Sequence, residues 1–306
     1  MASQLRRRAF LQRAGTLGGL LIAGSAIPEI LVACGGNVQT PVSSSATTIA
    51  SEGLKQPGVL QWGAAATGGA PYVFHDPTNP TQLIGFEVDI ADALAKLMGI
   101  KAKMVEVEYP QLEQALQSGR FDLIMNGWEI NEDRKKTEVF SQPYYRYGQQ
   151  IIVRSDDKRF ADKTENDNLS LKDLEGLTVG TGAGFKAADI LATNPKIKVK
   201  TYDPDLPLND LALGRLDAVF LDYPMATYYV LGGGPTSQKN PKLKPIGKPF
   251  ESSDYVIAFL KGDANALKLK GEIDQAISQL KKDGTLRKIY ERWKMWNDQQ
   301  AEIGIQ

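Results

Sequence analysis

Cysteine and histidine are almost absent from this sequence, and neither sign of charge is in excess. The single cysteine, Cys34, excludes an internal disulfide. The single histidine, His75, has no partners at metal-ligand spacing, so we expect it in a surface turn before Pro77, and we expect no metal site. Basic and acidic residues number 36 each, which removes any general electrostatic attraction to nucleic acid. Any partner must therefore be recognised by a local site.

No apolar run near the N-terminus is long enough for a permanent membrane helix. The run at 14–28 is shorter than the ~20 residues that span a bilayer, and Glu29 follows it. Four arginines precede this run, namely Arg6, Arg7, Arg8 and Arg13. A basic start before a short apolar run is typical of an export signal, which we assign to residues 1–33.

Two patterns make this assignment more specific. Residues 7–11 resemble a twin-arginine export signal, and LVAC at 31–34 resembles the lipobox of bacterial lipoproteins. The likeness implies that Cys34 becomes the first mature residue and carries a palmitate-containing membrane anchor; the alternative is an ordinary buried thiol. Residues 34–53 are mostly Ser, Thr, Gly and Ala without periodicity, which predicts a flexible tether before a fold that begins near Leu54.

From residue 59 onward, short apolar runs alternate with amphipathic stretches of helical length, which predicts an α/β fold. VLQWGAA at 59–65 is typical of a buried strand, and the alternating KMVEVE at 103–108 predicts a second one. Between them, residues 87–98 have helical periodicity. The apolar face of that helix comprises Val88, Ala91, Leu94, Ala95 and Met98.

The most informative pattern is an internal repeat. LQSGRFDLIMNG at 116–127 and LALGRLDAVFLD at 211–222 each contain a helix end, Gly-Arg, an apolar residue, Asp and an apolar strand. The repeat predicts two similar α/β lobes, with equivalent strands that end at Gly127 and Asp222. Because ligands of open α/β sheets bind beyond the carboxyl ends of strands, we expect a cleft between these ends.

Several segments, in order along the chain, resemble the bacterial extracellular solute-binding proteins of family 3, which bind polar amino acids. They are GFEVDIADALAKLM at 85–98, the stretch 112–145, LEGLTVGTGAG at 174–184, LGRLDAVFLDYP at 213–224 and LKKDGTLRKIYERW at 280–293. The likeness covers nearly all of residues 60–296.

This resemblance implies a periplasmic-binding-protein-like type II fold, with two α/β lobes joined by two crossing segments around a ligand cleft. The crossings are expected near 146–149 and 251–255. Lobe one then comprises 54–147 and 254–306, and lobe two comprises 148–253. The implied function is extracytoplasmic: a monomer without a cofactor captures an amino acid by lobe closure and delivers it to the permease of an ABC transporter.

The resemblance also implies roles for individual residues. Arg134 stands where the family keeps an arginine for the ligand α-carboxylate, and a planar guanidinium can donate two parallel hydrogen bonds to a carboxylate. Asp222 matches the acid that receives the α-ammonium, to which the Gly127 carbonyl is also expected to bind. The N–H groups around Phe185 and Lys186 are expected to meet the carboxylate.

Each of these residues has a purely structural alternative. Arg134 lies in the charged run 132–136, where a surface position is common, and Asp222 precedes Pro224 as a helix cap would. Tyr109 and Trp128 are expected against the ligand side chain, although aromatics at strand ends are usually core.

The sequence departs from the family at positions that affect ligand choice. Glu129 stands where relatives have Ser or Thr, Lys186 stands where they often have Thr, and the first turn at 64–69 lacks an acid. The charges of Arg134, Lys186, Glu129 and Asp222 sum to zero, which predicts a zwitterion with an uncharged polar side chain, such as glutamine. Two other functions stay open: a dehydratase-like enzyme on the same fold, and a ligand-sensing module.

Overall fold

The computed structural model describes residues 52–67, 69–203 and 206–306. The predicted signal peptide, Cys34 and most of the predicted tether lie outside these residues. The last two tether residues are part of the fold, because the N–H of Glu52 donates to Glu272 and Gly53 is buried against the helix Ala264–Lys282. The described contacts of the fold therefore include Glu52 and Gly53, and the start of the fold near Leu54 stays a prediction. None of the helices in the described ranges is both long and apolar enough to cross a bilayer.

The described elements follow the predicted α/β alternation. The strands are β1 (Val59–Ala64), β2 (Phe74–Asp76), β3 (Asn79–Ile84), β4 (Lys101–Glu106), β5 (Leu123–Ile124), β6 (Glu138–Phe140), β7 (Tyr145–Arg154), β8 (Thr178–Gly182), β9 (Lys198–Tyr202), β10 (Ala218–Asp222), β11 (Leu243–Tyr255) and β12 (Ala258–Leu260). The α-helices are α1 (Phe86–Met98), α2 (Leu112–Gln117), α3 (Arg134–Thr137), α4 (Lys186–Ala192), α5 (Leu208–Ala212), α6 (Tyr223–Tyr229), α7 (Ala264–Lys282), α8 (Thr285–Arg292) and α9 (Gln299–Glu302). Short 3₁₀ helices lie at Tyr109–Gln111, Lys158–Phe160 and Leu171–Leu174.

Two five-stranded sheets have the same strand order. The sheet of lobe one runs β4-β1-β5-β12-β6, and the sheet of lobe two runs β9-β8-β10-β7-β11. In each sheet the first three strands are parallel and the last two are antiparallel to their neighbours. The internal repeat therefore marks equivalent strands, β5 and β10, and the prediction of two similar α/β lobes is confirmed.

The aspartates of the repeat have the same structural role in both lobes. Asp122 donates its N–H to the Gln61 carbonyl at 2.9 Å, and its carboxylate accepts from the Gln61 N–H at 2.7 Å. Asp217 and Thr178 exchange the same two bonds, at 2.9 and 2.8 Å. Each aspartate thus bonds the residue before one strand, β5 or β10, to the neighbouring strand, β1 or β8, which fixes the register between the two strands.

The helix α1 has the predicted apolar face with one change. Ile90, Ala91 and Leu94 are fully buried, whereas Val88 is only half-buried. Glu87, on the same face, has no solvent exposure at all. Apolar residues of α7 and α8 share one hydrophobic core with α1, so the C-terminal helices pack on lobe one.

The two lobes are connected by β7 and β11, which pair with each other along most of their length. Arg146 is the partner of Asp254 in this pairing, and its guanidinium binds that carboxylate through Nε at 2.7 Å and Nη2 at 2.9 Å. Both predicted crossing segments lie in these strands. The residue boundaries given above for the lobes stay a prediction.

The prediction that His75 lies in a surface turn is wrong. His75 lies in β2, the first strand of a short hairpin with β3. Its side chain is exposed and lies 4.0 Å from the Glu106 carboxylate. The strand forms because Phe74 pairs with Ile84 and its side chain is buried in the core. This pairing keeps the backbone extended at the next residue, His75, which pairs with Leu83.

We expect Asp122→Ala to destabilise the fold, because it leaves the N–H groups of Lys55 and Gln61 without their carboxylate acceptor. Hydrogen bonds to a charged group contribute about 1.5–3 kcal/mol each to stability, so the free energy of unfolding should fall by at least about 1.5 kcal/mol. Urea unfolding measures it. Asp162→Ala, at a side chain that is 79% exposed, is the matched control and should change stability by less than about 0.5 kcal/mol. Equal stability of the two variants would contradict the role of Asp122.

Candidate functional site: the cleft between the lobes

A cleft with an empty volume of about 650 Å³ lies between the lobes. Its walls are formed where six parallel strands end. In lobe one they comprise Ala65, Thr67, Gly69 and Tyr72 after β1, Glu108 and Tyr109 after β4, and Asn126, Gly127 and Glu129 after β5. In lobe two they comprise Gly182, Ala183 and Phe185 around the end of β8, Tyr202, Asp203 and Leu206 around the end of β9, and Asp222 and Met225 around the end of β10. The cleft is therefore where the repeat predicted it.

The structure brings five of the eight predicted ligand-contacting residues to the wall of this cleft. They are Tyr109, Gly127, Glu129, Phe185 and Asp222. The other three, Trp128, Arg134 and Lys186, are not part of the described wall. Trp128 is a core residue, which was the structural alternative to a ligand contact. Its Nε1 donates to the Glu138 carboxylate at 2.8 Å.

The Asp222 carboxylate is bonded to three side chains from outside its own strand. Its Oδ1 accepts from Gln149 Nε2 at 2.7 Å, and its Oδ2 accepts from the Tyr255 hydroxyl and lies 3.2 Å from the Tyr72 hydroxyl. Although Asp222 occupies the N-cap position of α6, its side chain makes no capping bond. Burial raises the pKa of Asp222. The side chain thus points to the cleft and the crossing strands, not to the helix.

Glu129 and Arg134 form a buried ion pair beside Asp222. Arg134 Nη1 donates to the Glu129 backbone carbonyl at 2.8 Å and to Oε2 at 3.2 Å, and Tyr147 donates to Oε1 at 2.7 Å. Burial, and next the charge of Asp222, raise the pKa of Glu129 to about 7. The cost of two buried carboxylates is therefore only partly offset by one guanidinium.

Arg134 is held in place from two sides. Its guanidinium carbon lies 3.4 Å from the centroid of the Trp128 ring, and Nη2 lies 3.5 Å from the Tyr109 hydroxyl. The side chain is 9% exposed, which overturns the surface alternative suggested by the charged run around it. Glu129 is the one carboxylate within 4.0 Å of it in the described ranges.

Gly127 has a left-handed backbone conformation that favours glycine. Its φ is 58°, and an added Cβ would lie 2.8 Å from the Tyr72 ring. Its N–H donates at 2.6 Å to Glu87, whose same oxygen accepts from the Tyr144 hydroxyl at 2.5 Å. Burial raises the pKa of Glu87 to about 7. Glu87 is therefore structural, and it orients the peptide unit at the cleft wall.

Aromatic rings from both lobes meet at the cleft. The Tyr109 ring of lobe one packs edge-on against the Phe185 ring of lobe two, with centroids 5.3 Å apart, and it also contacts Trp128 at 5.3 Å. The Phe185 N–H donates to the Gly182 carbonyl at 3.3 Å, so it is already engaged within the protein. Lys186 begins α4 and is half-buried beside the cleft.

The predicted charge balance of the cleft is wrong. Lys186 is not part of the wall, while Glu108 and Asp203 are, so the described wall contains four carboxylates and no lysine or arginine. The error arose because a residue at a helix start can point to either side, and the sequence does not determine which. The argument for an uncharged ligand side chain therefore has no basis in the structure.

Sequence reasoning missed the polar residues of the crossing strands. Tyr147 and Tyr255 stack with ring centroids 4.2 Å apart, and each donates a hydrogen bond to one cleft carboxylate, Glu129 or Asp222. Gln149 of β7 also donates to Asp222, as does Tyr72, which lies after β1 in lobe one. The sequence feature that could have revealed Tyr147, Gln149 and Tyr255 is that polar and aromatic residues occur inside the two segments predicted to cross between the lobes. In the described ranges no group of three or more His, Cys, Asp or Glu residues could hold a metal ion.

Comparisons with known proteins agree with this architecture. The L-cystine-binding protein TcyJ of Escherichia coli strain K12 is 32% identical over 255 residues, which are 81% of this chain and 89% of that protein. An ancestral arginine-binding protein bound to glutamine is 34% identical with a TM-score of 0.65, covering 79% of this chain and 100% of the other. The ancestral amino acid-binding protein AncCDT-1, a precursor of cyclohexadienyl dehydratase, is 32% identical with a TM-score of 0.64, covering 77% and 95%.

The match to a protein family is equally extensive. Residues 62–295 fit the family described as bacterial extracellular solute-binding proteins, family 3. This range contains both sheets except the first three residues of β1, 59–61. The type II fold implied by the family resemblance is confirmed by the solved structures. The chain belongs to the bacterial extracellular solute-binding proteins of family 3.

Proposed function

We propose that the cleft holds the head group of one amino acid, with the α-ammonium at Asp222 and Glu129 and the α-carboxylate toward Arg134. The observation that carries this proposal is a pair of buried carboxylates that line one cavity, Glu129 in the segment after β5 and Asp222 at the end of β10. Burial, and next the charge of Asp222, raise the pKa of Glu129, and a cation between the two carboxylates would offset their repulsion. The Gly127 carbonyl is the proposed third acceptor for the ammonium.

The proposed role of Arg134 has to be reconciled with its ion pair. A guanidinium has five N–H donors, and the bonds of Nη1 to Glu129 use two of them. The remaining donors include those of Nη2, which lies toward Tyr109 at the cleft wall. Arg134 can therefore serve Glu129 and a ligand carboxylate together, with Glu129 keeping the guanidinium in place before the ligand arrives.

Contacts between the lobes support capture by closure. Tyr72 of lobe one reaches Asp222 of lobe two, and the rings of Tyr109 and Phe185 meet across the cleft. A ligand enclosed between these contacts leaves only after they break. We propose that the closed, loaded protein is the form presented to the permease of an ABC importer, and that the carrier acts as a monomer.

We expect Asp222→Ala and Arg134→Ala each to weaken amino acid binding severely, because each leaves one charge of the zwitterion without its partner. Losing one partner of a buried charged pair costs about 2–5 kcal/mol, or roughly 30-fold or more in affinity. Isothermal titration calorimetry with a panel of amino acids measures the loss. Near-normal affinity in both folded variants would contradict the proposed head-group site.

A double variant separates the two roles of Arg134. Arg134→Ala leaves Glu129 buried without its cation, which should lower the free energy of unfolding by about 3 kcal/mol. Adding Glu129→Gln removes the stranded charge and should recover most of this stability. Affinity should stay low in the double variant if Arg134 binds the ligand carboxylate. Recovery of affinity together with stability would show that Arg134 acts only on Glu129.

We propose a carrier and not an enzyme, although one similar structure is titled as the precursor of a dehydratase. The specific feature that favours catalysis is Glu129, a buried carboxyl in the cleft with a pKa raised to about 7. If the protein is a carrier, an amino acid incubated with it in equal amount should be recovered unchanged after denaturation. Mass spectrometry of the released ligand decides this, and a product formed by loss of water would favour the enzyme.

We also propose that lipid on Cys34 anchors the carrier to the outer face of the cell membrane, after removal of residues 1–33. The support is the LVAC sequence that follows a short apolar run. Mass spectrometry of the mature N-terminus should find a diacylglycerol-modified Cys34, and Cys34→Ser should release the protein from the membrane fraction. A mature chain that starts elsewhere would overturn this anchor.

A further inference from the structure

The Trp128 ring connects a buried carboxylate to the arginine of the proposed head-group site. The guanidinium of Arg134 lies over the ring, with its carbon 3.4 Å from the ring centroid. The Nε1 of the same ring donates to Glu138 Oε2 at 2.8 Å. Trp128 and Glu138 are each 2% exposed, and neither is part of the described cleft wall. Glu138 therefore has no direct access to a ligand in the cleft.

The short helix α3 brings Arg134 and Glu138 to the same side of the chain. The helix begins at Arg134, and Glu138 follows it as the C-cap and donates its backbone N–H to the Arg134 carbonyl. Residues four apart on a helix are neighbours on one face. Trp128 comes from the segment after β5, where its backbone carbonyl accepts from the Val256 N–H at 2.8 Å. Two separately anchored parts of lobe one thus meet at the indole.

The Glu138 carboxylate is poorly satisfied for a buried group. Its Oε1 has no hydrogen-bond partner among the described residues, and the carboxylate forms no ion pair with any of them. Burial raises the pKa of Glu138 to about 7; the Trp128 bond and the charge of Arg134 oppose this rise, and the charge of Glu113 adds to it. An apolar side chain would fill this core position at lower cost. The carboxylate is therefore explained by its bond to the indole and not by packing.

The bond to the indole restricts the orientation of Arg134. A ring held at Nε1 cannot turn about its Cβ–Cγ bond without breaking that hydrogen bond, so its face stays against the guanidinium. Donation to an anion also makes the indole more electron-rich, which strengthens the attraction of a cation to the ring face. Because Nη1 is engaged by Glu129, this arrangement keeps Nη2 directed toward the Tyr109 hydroxyl, 3.5 Å away at the cleft wall.

We propose that Glu138 is a positioning residue for ligand capture, which orients the Trp128 ring and through it presents Arg134 Nη2 to the carboxylate of an amino acid in the cleft. This inference rests on the proposed amino acid head-group site. A guanidinium already held in its binding orientation loses less freedom when the ligand arrives, so the free protein is preorganised. Glu138 thus raises affinity without touching the ligand.

Glu138→Gln tests the proposal, because the amide has nearly the same shape and its oxygen still accepts from the indole N–H, but it carries no charge. Calorimetry with the standard amino acids identifies which of them the unmodified protein binds. Affinity for these should fall about 5-fold in the variant. The urea midpoint should not fall, because a buried and incompletely bonded charge is removed. A loss of stability in step with affinity would make Glu138 a merely structural residue and overturn the proposal.

A double-mutant cycle with Trp128→Phe shows whether Glu138 acts through the ring. Phenylalanine keeps an aromatic face but has no N–H, so Glu138→Gln should weaken binding by less than about 2-fold further in that background. An undiminished loss there would show that Glu138 acts on Arg134 by its charge alone, and a role through Trp128 would be wrong.

The matched control is Glu113→Gln. Glu113 is a carboxylate near Glu138 that accepts from the Thr137 hydroxyl at 2.7 Å and is not bonded to the indole. Its replacement should leave affinity within about 2-fold of the unmodified protein. A loss as large as that of Glu138→Gln would show that any charge removed from this region has the same effect, which contradicts a specific role of Glu138.

The indole resonance of Trp128 gives a readout that does not depend on stability. In proton–nitrogen correlation spectra, the indole peak that is missing from Trp128→Phe should titrate with a midpoint of about 7 and move downfield as Glu138 ionises. Glu138→Gln should abolish this titration, and its persistence would contradict the bond. If Glu138→Gln binds amino acids as tightly as the unmodified protein, the proposal fails while the carrier stands. If the unmodified protein binds none of them, the head-group site is wrong and this proposal falls with it.

Discussion

The Asp222 carboxylate is the group on which the geometry of the cleft depends. It belongs to the central strand of lobe two, yet its partners are a lobe one tyrosine, Tyr72, and two residues of the crossing strands, Gln149 and Tyr255. A buried carboxylate is stable only when hydrogen bonds replace its lost hydration. The requirement to satisfy this one group therefore fixes the position of three elements that are remote from each other in the sequence.

The two buried carboxylates of the cleft, Glu129 and Asp222, cost folding free energy. Both carboxylates are buried, Arg134 forms its ion pair with Glu129, and the pKa of Glu129, raised by burial and next by the charge of Asp222, is the expression of that cost. Binding sites commonly carry such unfavourable arrangements because a ligand relieves them. In the proposed complex an ammonium ion would supply the missing positive charge. Relief of the repulsion between the carboxylates would then contribute to the free energy of binding.

Most of the fold could be predicted from the sequence, because its signals are local. The periodicity of residues 87–98 and the repeated Gly-Arg-apolar-Asp pattern each arise within one helix or strand, and the shared bonds of Asp122 and Asp217 show why the pattern recurs. The site was less predictable. Tyr147 and Tyr255 act through the register between two strands about one hundred residues apart, which no local pattern encodes. The direction of Lys186 and the position of Arg134 behind the wall depend likewise on packing.

The contacts of Tyr72 with Asp222 and of Tyr109 with Phe185 are made by protein atoms alone. These contacts stabilise the closed shape of the empty carrier as well as that of the loaded one. A permease that recognised only that shape would hydrolyse ATP on unloaded carriers. The fraction of such futile cycles is set by how much these few contacts stabilise closure relative to the bound amino acid, so a stronger interface between the lobes would raise affinity and lower transport efficiency together.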